Sequence, residues 1–186
     1  YNDTWGKGTD SYLQMMYERL VLMRELLAEN GSIYIHLDWH VGHYVKLLMD
    51  EIFGKENFRN DIVWHYSRWS ANPNIFQRMH DTILWYSKSN NYTFNKLYQP
   101  YKSPQWIEDT IRGVVNGKLV RLKDEKGDYI KREKENIGVL RHDVWEDINF
   151  IAPTASERLA FDTQKPEALL DRIVKASSNP GDLVAD

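Results

Sequence analysis

Apolar positions recur at two different spacings along this chain, and the spacings divide it into elements. Leu13, Met16, Leu20, Met23 and Leu27 repeat every three or four residues, which predicts an amphipathic helix over residues 11–29. Asp10 is placed to cap its start, and Gly31 to take a left-handed conformation at its end. The run SIYIHLD at 32–38 then reads as a strand, so the opening is an α/β unit. Val45, Leu48, Met49 and Ile52 predict a second helix over 41–53, stopped by Gly54. Residues 61–66 and 82–87, rich in β-branched and aromatic side chains, are predicted to pair as strands. The segment 67–81 between them is too long for a tight hairpin and suits a functional loop.

Beyond residue 88 the pattern loosens. Pro100 and Pro104 mark 88–104 as irregular, and residues 106–112 are a short helix candidate. Residues 118–122 and 129–131 flank Asp124-Glu125-Lys126-Gly127-Asp128, a hairpin signal. Residues 133–160 carry too little periodicity for an assignment. Order returns near the end. Pro166 suits the first position of a helix, and Leu169, Leu170, Ile173 and Val174 give it one apolar face. Asn179-Pro180-Gly181 turns the chain. Leu183, Val184 and Ala185 then predict a short buried strand closed by Asp186, lying on a parallel sheet with the strand at 33–37.

Composition narrows the class. The 186 residues are 42% hydrophobic and 27% charged, as in a soluble single domain. No apolar run is long enough to span a bilayer. The absence of cysteine removes disulfides and thiolate metal sites and makes a cytoplasmic location the expectation. The net charge of −3 is not that of a basic nucleic-acid binder, but its distribution is uneven. The net is −4 over 1–53, +2 over 54–95, +4 over 96–142 and −5 over 143–186. A phosphate contact surface therefore belongs in 54–142, where a solvated, charge-mixed insertion is the plain alternative. Gly-x-Ser-x-Gly and Walker-type loops are absent, which removes serine hydrolase and P-loop readings.

Several blocks stand in a telling order. They are the opening loop and helix, GSIYIHLDW, DIVWHYSRWSANPNIFQRMHDTILWYSKS, and Thr163-Gln164-Lys165-Pro166-Glu167 followed by a helix, Pro180-Gly181-Asp182 and Asp186. Together they resemble the beta class of DNA amino-methyltransferases, which modify adenine N6 or cytosine N4. The resemblance covers 1–95 and 143–186. It implies a Rossmann-like α/β methyltransferase sheet, incomplete here, with a target-recognition-like segment inserted at 96–142. Residues 1–95 would form the catalytic half and 143–186 the cofactor side.

The resemblance also implies chemistry. The cofactor is S-adenosylmethionine, and Thr163, Gln164, Lys165, Pro166 and Asp186 are its expected contacts. The methionine carboxylate would meet the N–H groups that open the helix after Pro166. An ordinary capped helix with a solvated lysine is the alternative. The partner is double-stranded DNA, with a restriction subunit as a further candidate. His65, Arg68, Trp69 and Arg78 are the expected DNA contacts, by phosphate pairing or base stacking; a plain surface loop with a half-buried Trp is the alternative. The exocyclic amine must be flipped out and aligned with the methyl sulfonium. The look of the blocks favours adenine over cytosine.

In this family the catalytic acidic tetrapeptide would precede Tyr1, and a Gly-rich cofactor loop would follow Asp186. Catalytic residues are therefore expected outside these 186 residues, and the chain reads as an internal fragment, inactive alone. Missing sheet neighbours predict self-association through an exposed edge. Two rivals remain. One is a non-catalytic DNA-binding module centred on 54–142. The other is a metal-dependent hydrolase built on His36, Asp38, His40 and His43; the methyltransferase reading needs no metal.

Overall fold

The structure, a computed structural model, describes residues 8–67, 74–102, 108–133, 137–159, 161 and 163–186. The elements run α1 (Thr9–Leu26), β1 (Ser32–Leu37), α2 (Gly42–Phe53), β2 (Phe58–His65), β3 (His80–Ser87), β4 (Tyr98–Gln99), β5 (Glu108–Thr110), β6 (Arg112–Val115), β7 (Lys118–Arg121), β8 (Lys131–Glu133), β9 (Val139–Leu140), β10 (Val144–Trp145) and α3 (Glu167–Ser177). They divide into two compact units, Tyr1–Asn95 with His142–Asp186, and Lys96–Arg141.

The first unit is a mixed α/β layer around a four-stranded sheet of order β1-β3-β2-β10. β3 runs antiparallel to β1 and β2, and β10 adds to β2 in parallel. The sequence explains why β3 is internal. Ile83, Leu84, Trp85 and Tyr86 are all buried, a continuous apolar run that reads as a strand covered on both faces. Side chains alternate along a strand, so the run feeds two clusters. Leu84 and Tyr86 pack with Leu20 of α1, Leu37 of β1 and Val45, Met49 and Phe53 of α2. Ile83 and Trp85 pack with Ile62, Trp64, Trp145, Ile148 and Leu169 of α3.

The helices depart from expectation in detail. α1 begins at Thr9 behind Gly8, with no side-chain cap, so Asp10 lies inside the first turn, where its charge meets the positive end of the helix dipole. Gly31 is not left-handed. A Cβ there would stand 2.8 Å from the Leu27 side chain, so close approach is what favours glycine. Gly54 does stop α2, at φ 87°. In α3 the buried positions are Leu169 and Ala176, while Val174 is largely exposed.

The closing strand is not formed. Asn179-Pro180-Gly181-Asp182 makes the expected turn, with the Asp182 N–H on the Asn179 carbonyl at 3.0 Å and Gly181 at φ 96°. Among the described residues, 183–186 join no strand, and Leu183 is 98% exposed. An apolar run becomes a buried strand only where an edge receives it. Among the described residues β1 pairs with β3 alone, and antiparallel, so the parallel pairing expected between 33–37 and the closing segment is not found there.

Among its described residues the second unit holds three two-stranded ribbons, β4–β9, β5–β8 and β6–β7. Residues 108–110 and 112 are strand where a helix was expected at 106–112; residues 103–107 lie outside the described residues. The turn at 124–128 exists, with Asp124 Oδ1 accepting the N–H groups of Lys126 and Asp128 and with Gly127 at φ 87°. The two sides of that turn do pair, Lys123 bridging Tyr129 antiparallel and the Ile130 N–H donating to the Leu122 carbonyl at 3.0 Å, while β7 also pairs with β6 across Asn116-Gly117 and β8 pairs with β5. Asn116 and Gly117 both have positive φ, 51° and 76°, as a two-residue primed turn requires.

Leu20 is fully buried between α1, α2 and the sheet. Leu20→Ala is expected to lower the unfolding free energy by about 3 kcal/mol, measured by urea denaturation.

Candidate functional site

β1 and β2 end, and β3 begins, at one end of the sheet: Leu37 stands opposite Thr82, and His65 opposite His80. Five side chains from four parts of the sequence gather there. Asp81 Oδ2 lies 3.0 Å from His36 Nε2. The His36 ring stands edge-on to Trp64, centroids 5.5 Å apart. The Tyr66 hydroxyl donates to Asp81, and the Lys165 ammonium lies within electrostatic reach of it. Burial pushes the Asp81 carboxyl up. The His36 hydrogen bond and charge, the Tyr66 hydrogen bond and the Lys165 charge outweigh burial and hold it below its usual 3.8. Lys165 is itself half-buried, which lowers its pKa; Asp81 and Asp186 oppose that without cancelling it.

The segment leading into α3 is stitched to itself. Gln164 Nε2 donates to the Glu157 carbonyl and its Oε1 accepts the Leu159 N–H, both at 2.6 Å. The Glu157 carboxylate accepts the Glu167 N–H at 3.1 Å, so the start of α3 already holds an anion. Lys165 Nζ donates to the Thr163 carbonyl at 2.9 Å. Pro166 caps α3 instead of opening it, with ψ 135°, and its carbonyl accepts the Leu169 N–H. Of the five residues assigned to cofactor, Lys165 feels the Asp186 charge without pairing with it, Gln164 and Pro166 order the segment, and Thr163 contributes a carbonyl to Lys165.

The expected DNA contacts separate. Arg68 and Trp69 lie outside the described residues. The Arg78 guanidinium sits 3.7 Å above the Trp39 ring, whose centroid is 3.5 Å from that of His40. His40 in turn bonds Asp38 at 2.8 Å. His65 lines an open cleft of about 450 Å³ with Tyr66, Ser67, Glu146, Asp147 and Asn149. Asp147 is neutralised there by a two-point pair with Arg172 at 2.9 and 2.6 Å.

The metal alternative does not assemble. His36 bonds Asp81, Asp38 bonds His40, and His43 lies against Tyr44. Among the described residues no group of three His, Cys, Asp or Glu is placed to hold a metal. Asp81 and Trp39 escaped the sequence reading. The one visible signal was a charged pair, His80-Asp81, opening an otherwise apolar strand.

A family model described as DNA methylase, of the N6/N4 methyltransferase type, matches residues 2–186. The chain belongs to this DNA methylase family. It is 27% identical over 95% of its length to the type II methyltransferase M.EcaI of Enterobacter cloacae. It is 26% identical over 95% of its length to the type II methyltransferase M.HpaI of Haemophilus parainfluenzae. It spans about half the length of both, 49% and 48%. Over 45% of the chain it is 37% identical to the Mod subunit of the type III restriction-modification enzyme EcoP15I of Escherichia coli, covering 13% of that protein. Members of the DNA methylase family generally depend on S-adenosylmethionine. Among the described residues no helix is long and apolar enough to cross a membrane.

Because Asp81 is held below its usual value in the fold, its stabilisation is complete above pH 3.8 and is lost as pH falls through the lowered value. Asp81→Asn is expected to remove that acid-side loss and to be less stable than wild type at neutral pH. Thermal unfolding between pH 2 and pH 7 checks both outcomes.

Proposed function

We propose that this chain is part of an enzyme that moves a methyl group from S-adenosylmethionine to the exocyclic amine of a base in double-stranded DNA, adenine ahead of cytosine. One observation carries the reading. The Lys165 ammonium, from the segment assigned to cofactor, lies within electrostatic reach of Asp81, from the strand block assigned to the target base, at the carboxyl ends of β1 and β2. Ligands of open α/β sheets bind at such ends.

The residues present suit the cofactor's polar groups. Lys165, half-buried with its ammonium near Asp81 and Asp186, matches a carboxylate. The Asp186 carboxylate, exposed, matches an ammonium or ribose hydroxyls. Thr163, Gln164 and Pro166 keep that cation in place. When bound, the cofactor supplies an electrophilic methyl on sulfonium. His65, Arg68, Trp69 and Arg78 face the DNA, and Trp39 holds the Arg78 guanidinium on its ring.

The reading includes a Rossmann-like sheet with a target-recognition segment inserted at 96–142. The 186 residues hold neither an Asp-Pro-Pro-aromatic tetrapeptide nor a Phe-x-Gly-x-Gly loop, so no turnover is expected from them alone. Similarity to a Mod subunit makes a restriction subunit a proposed partner, and a cytoplasmic location belongs to the same proposal.

Calorimetric titration with S-adenosylmethionine tests the cofactor assignment. The chain is expected to bind, and Lys165→Ala to bind roughly tenfold more weakly through loss of a charged hydrogen bond. A wild-type chain that binds no cofactor would overturn it.

Self-association forms part of the proposal. β1 has no second partner among the described residues, and open edges template pairing. Light scattering is expected to show mass rising with concentration; a monomer at every concentration would count against the edge.

A further inference from the structure

The second unit carries a surface that the residues assigned above leave unused. Residues 111–123, IRGVVNGKLVRLK, hold four cations and no acid within a chain of net charge −3. They form the β6–β7 ribbon, in which Arg112 stands directly opposite Arg121 and Val114 opposite Leu119. These four share one face by strand alternation. Val114 and Leu119 are 71% and 66% exposed. The other face is partly closed, since Leu122 packs over Gly113, where a Cβ would stand 3.0 Å from its side chain. Like charges placed opposite each other across a ladder oppose pairing. The Arg121 guanidinium stands over the Tyr129 ring, at 5.8 Å.

We infer that the β6–β7 ribbon is a duplex-DNA contact, entering a groove with Arg112 and Arg121 on phosphates or base edges and Val114 and Leu119 between them. It rests on the DNA-methyltransferase reading for the identity of the polyanion. A two-stranded ribbon fits the major groove, where arginine meets guanine and apolar side chains meet the thymine methyl. Lys118 beside the turn and Lys123 beyond β7 extend the same positive run toward the backbone.

Fluorescence anisotropy of this chain with a labelled short duplex, over a range of salt, tests the inference. Arg112→Ala/Arg121→Ala is expected to weaken binding roughly tenfold and to lower the salt slope by about 2. Lys118→Ala/Lys123→Ala lowers the slope likewise, which keeps the test open should the first variant misfold. The exposed pair Arg19→Ala/Arg24→Ala on α1 serves as the charge control and is expected to bind as wild type. Equal losses from the ribbon and control pairs would overturn the inference. So would wild-type binding to heparin or single strands as tight as to the duplex. S-adenosylmethionine binding by the ribbon variant is expected unchanged. A chain that fails to bind cofactor yet loses duplex affinity through the ribbon sinks the enzyme reading alone. A chain that binds cofactor but is indifferent to the ribbon changes sinks this inference alone.

Discussion

The first unit depends on β3 being satisfied on every side at once. Two strands bond its edges, and two sets of helices cover its faces. A slip of one residue would send Leu84 and Tyr86 to the α3 face and Ile83 and Trp85 to the α1–α2 face. Each face is shaped for its own pair. Trp85 stacks flat on Tyr34 at 5.5 Å and meets Tyr92 edge-on, whereas Tyr86 reaches Asp50, itself held by Lys46. Desolvation and the Asp50 carboxylate both push the Tyr86 phenol upward, so it stays a neutral donor. The Trp85 indole N–H is buried without an acceptor, a cost of about 1–3 kcal/mol that the surrounding aromatic packing offsets.

That same strand carries the chemistry. Asp81 is the second residue of β3, and its partners His36 and Tyr66 belong to or adjoin the two neighbouring strands. The carboxylate is therefore placed by the register that builds the core, and only Lys165 arrives from elsewhere. The Arg78–Trp39–His40–Asp38 series lies beside it and is local in origin: each contact joins residues of the loops that follow β1 and precede β3. One site thus combines a part fixed by the sheet with a part fixed by side-chain stacking.

Much of this was legible in the residue pattern. The periodicity of Val45, Leu48, Met49 and Ile52 located α2 to within a residue, and the β-branched runs found β2 and β3, because burial of one face or both leaves a local trace. The failures share a cause. Leu183-Val184-Ala185 looks like a strand in isolation, but strand formation is decided by a partner edge, which composition does not reveal. β10 is two residues long and exists because Val144 and Trp145 meet Val63 and Trp64 from far away in sequence. The Asp124–Asp128 run does turn the chain, with Lys123 bridging Tyr129 across it, and Asn116-Gly117 makes a second turn whose signal is only two residues long. The Lys165–Asp81 encounter had no sequence signature, since its members lie more than eighty positions apart. Family membership survives the absent closing strand because the family model matches residues 2–186, not that segment alone.

The carboxylate of Glu157 on the first amide of α3 has a thermodynamic consequence. An anion arriving at that helix end does not fill a free site; it trades places with a side chain already seated there. Its measured affinity is then a difference between two similar interactions. The displaced glutamate also lies in the stretch that Gln164 clasps through the carbonyl of residue 157 and the amide of residue 159. Because Gln164 holds the backbone on both sides of that glutamate, its carboxylate could leave the helix end while the loop that carries it stays in place.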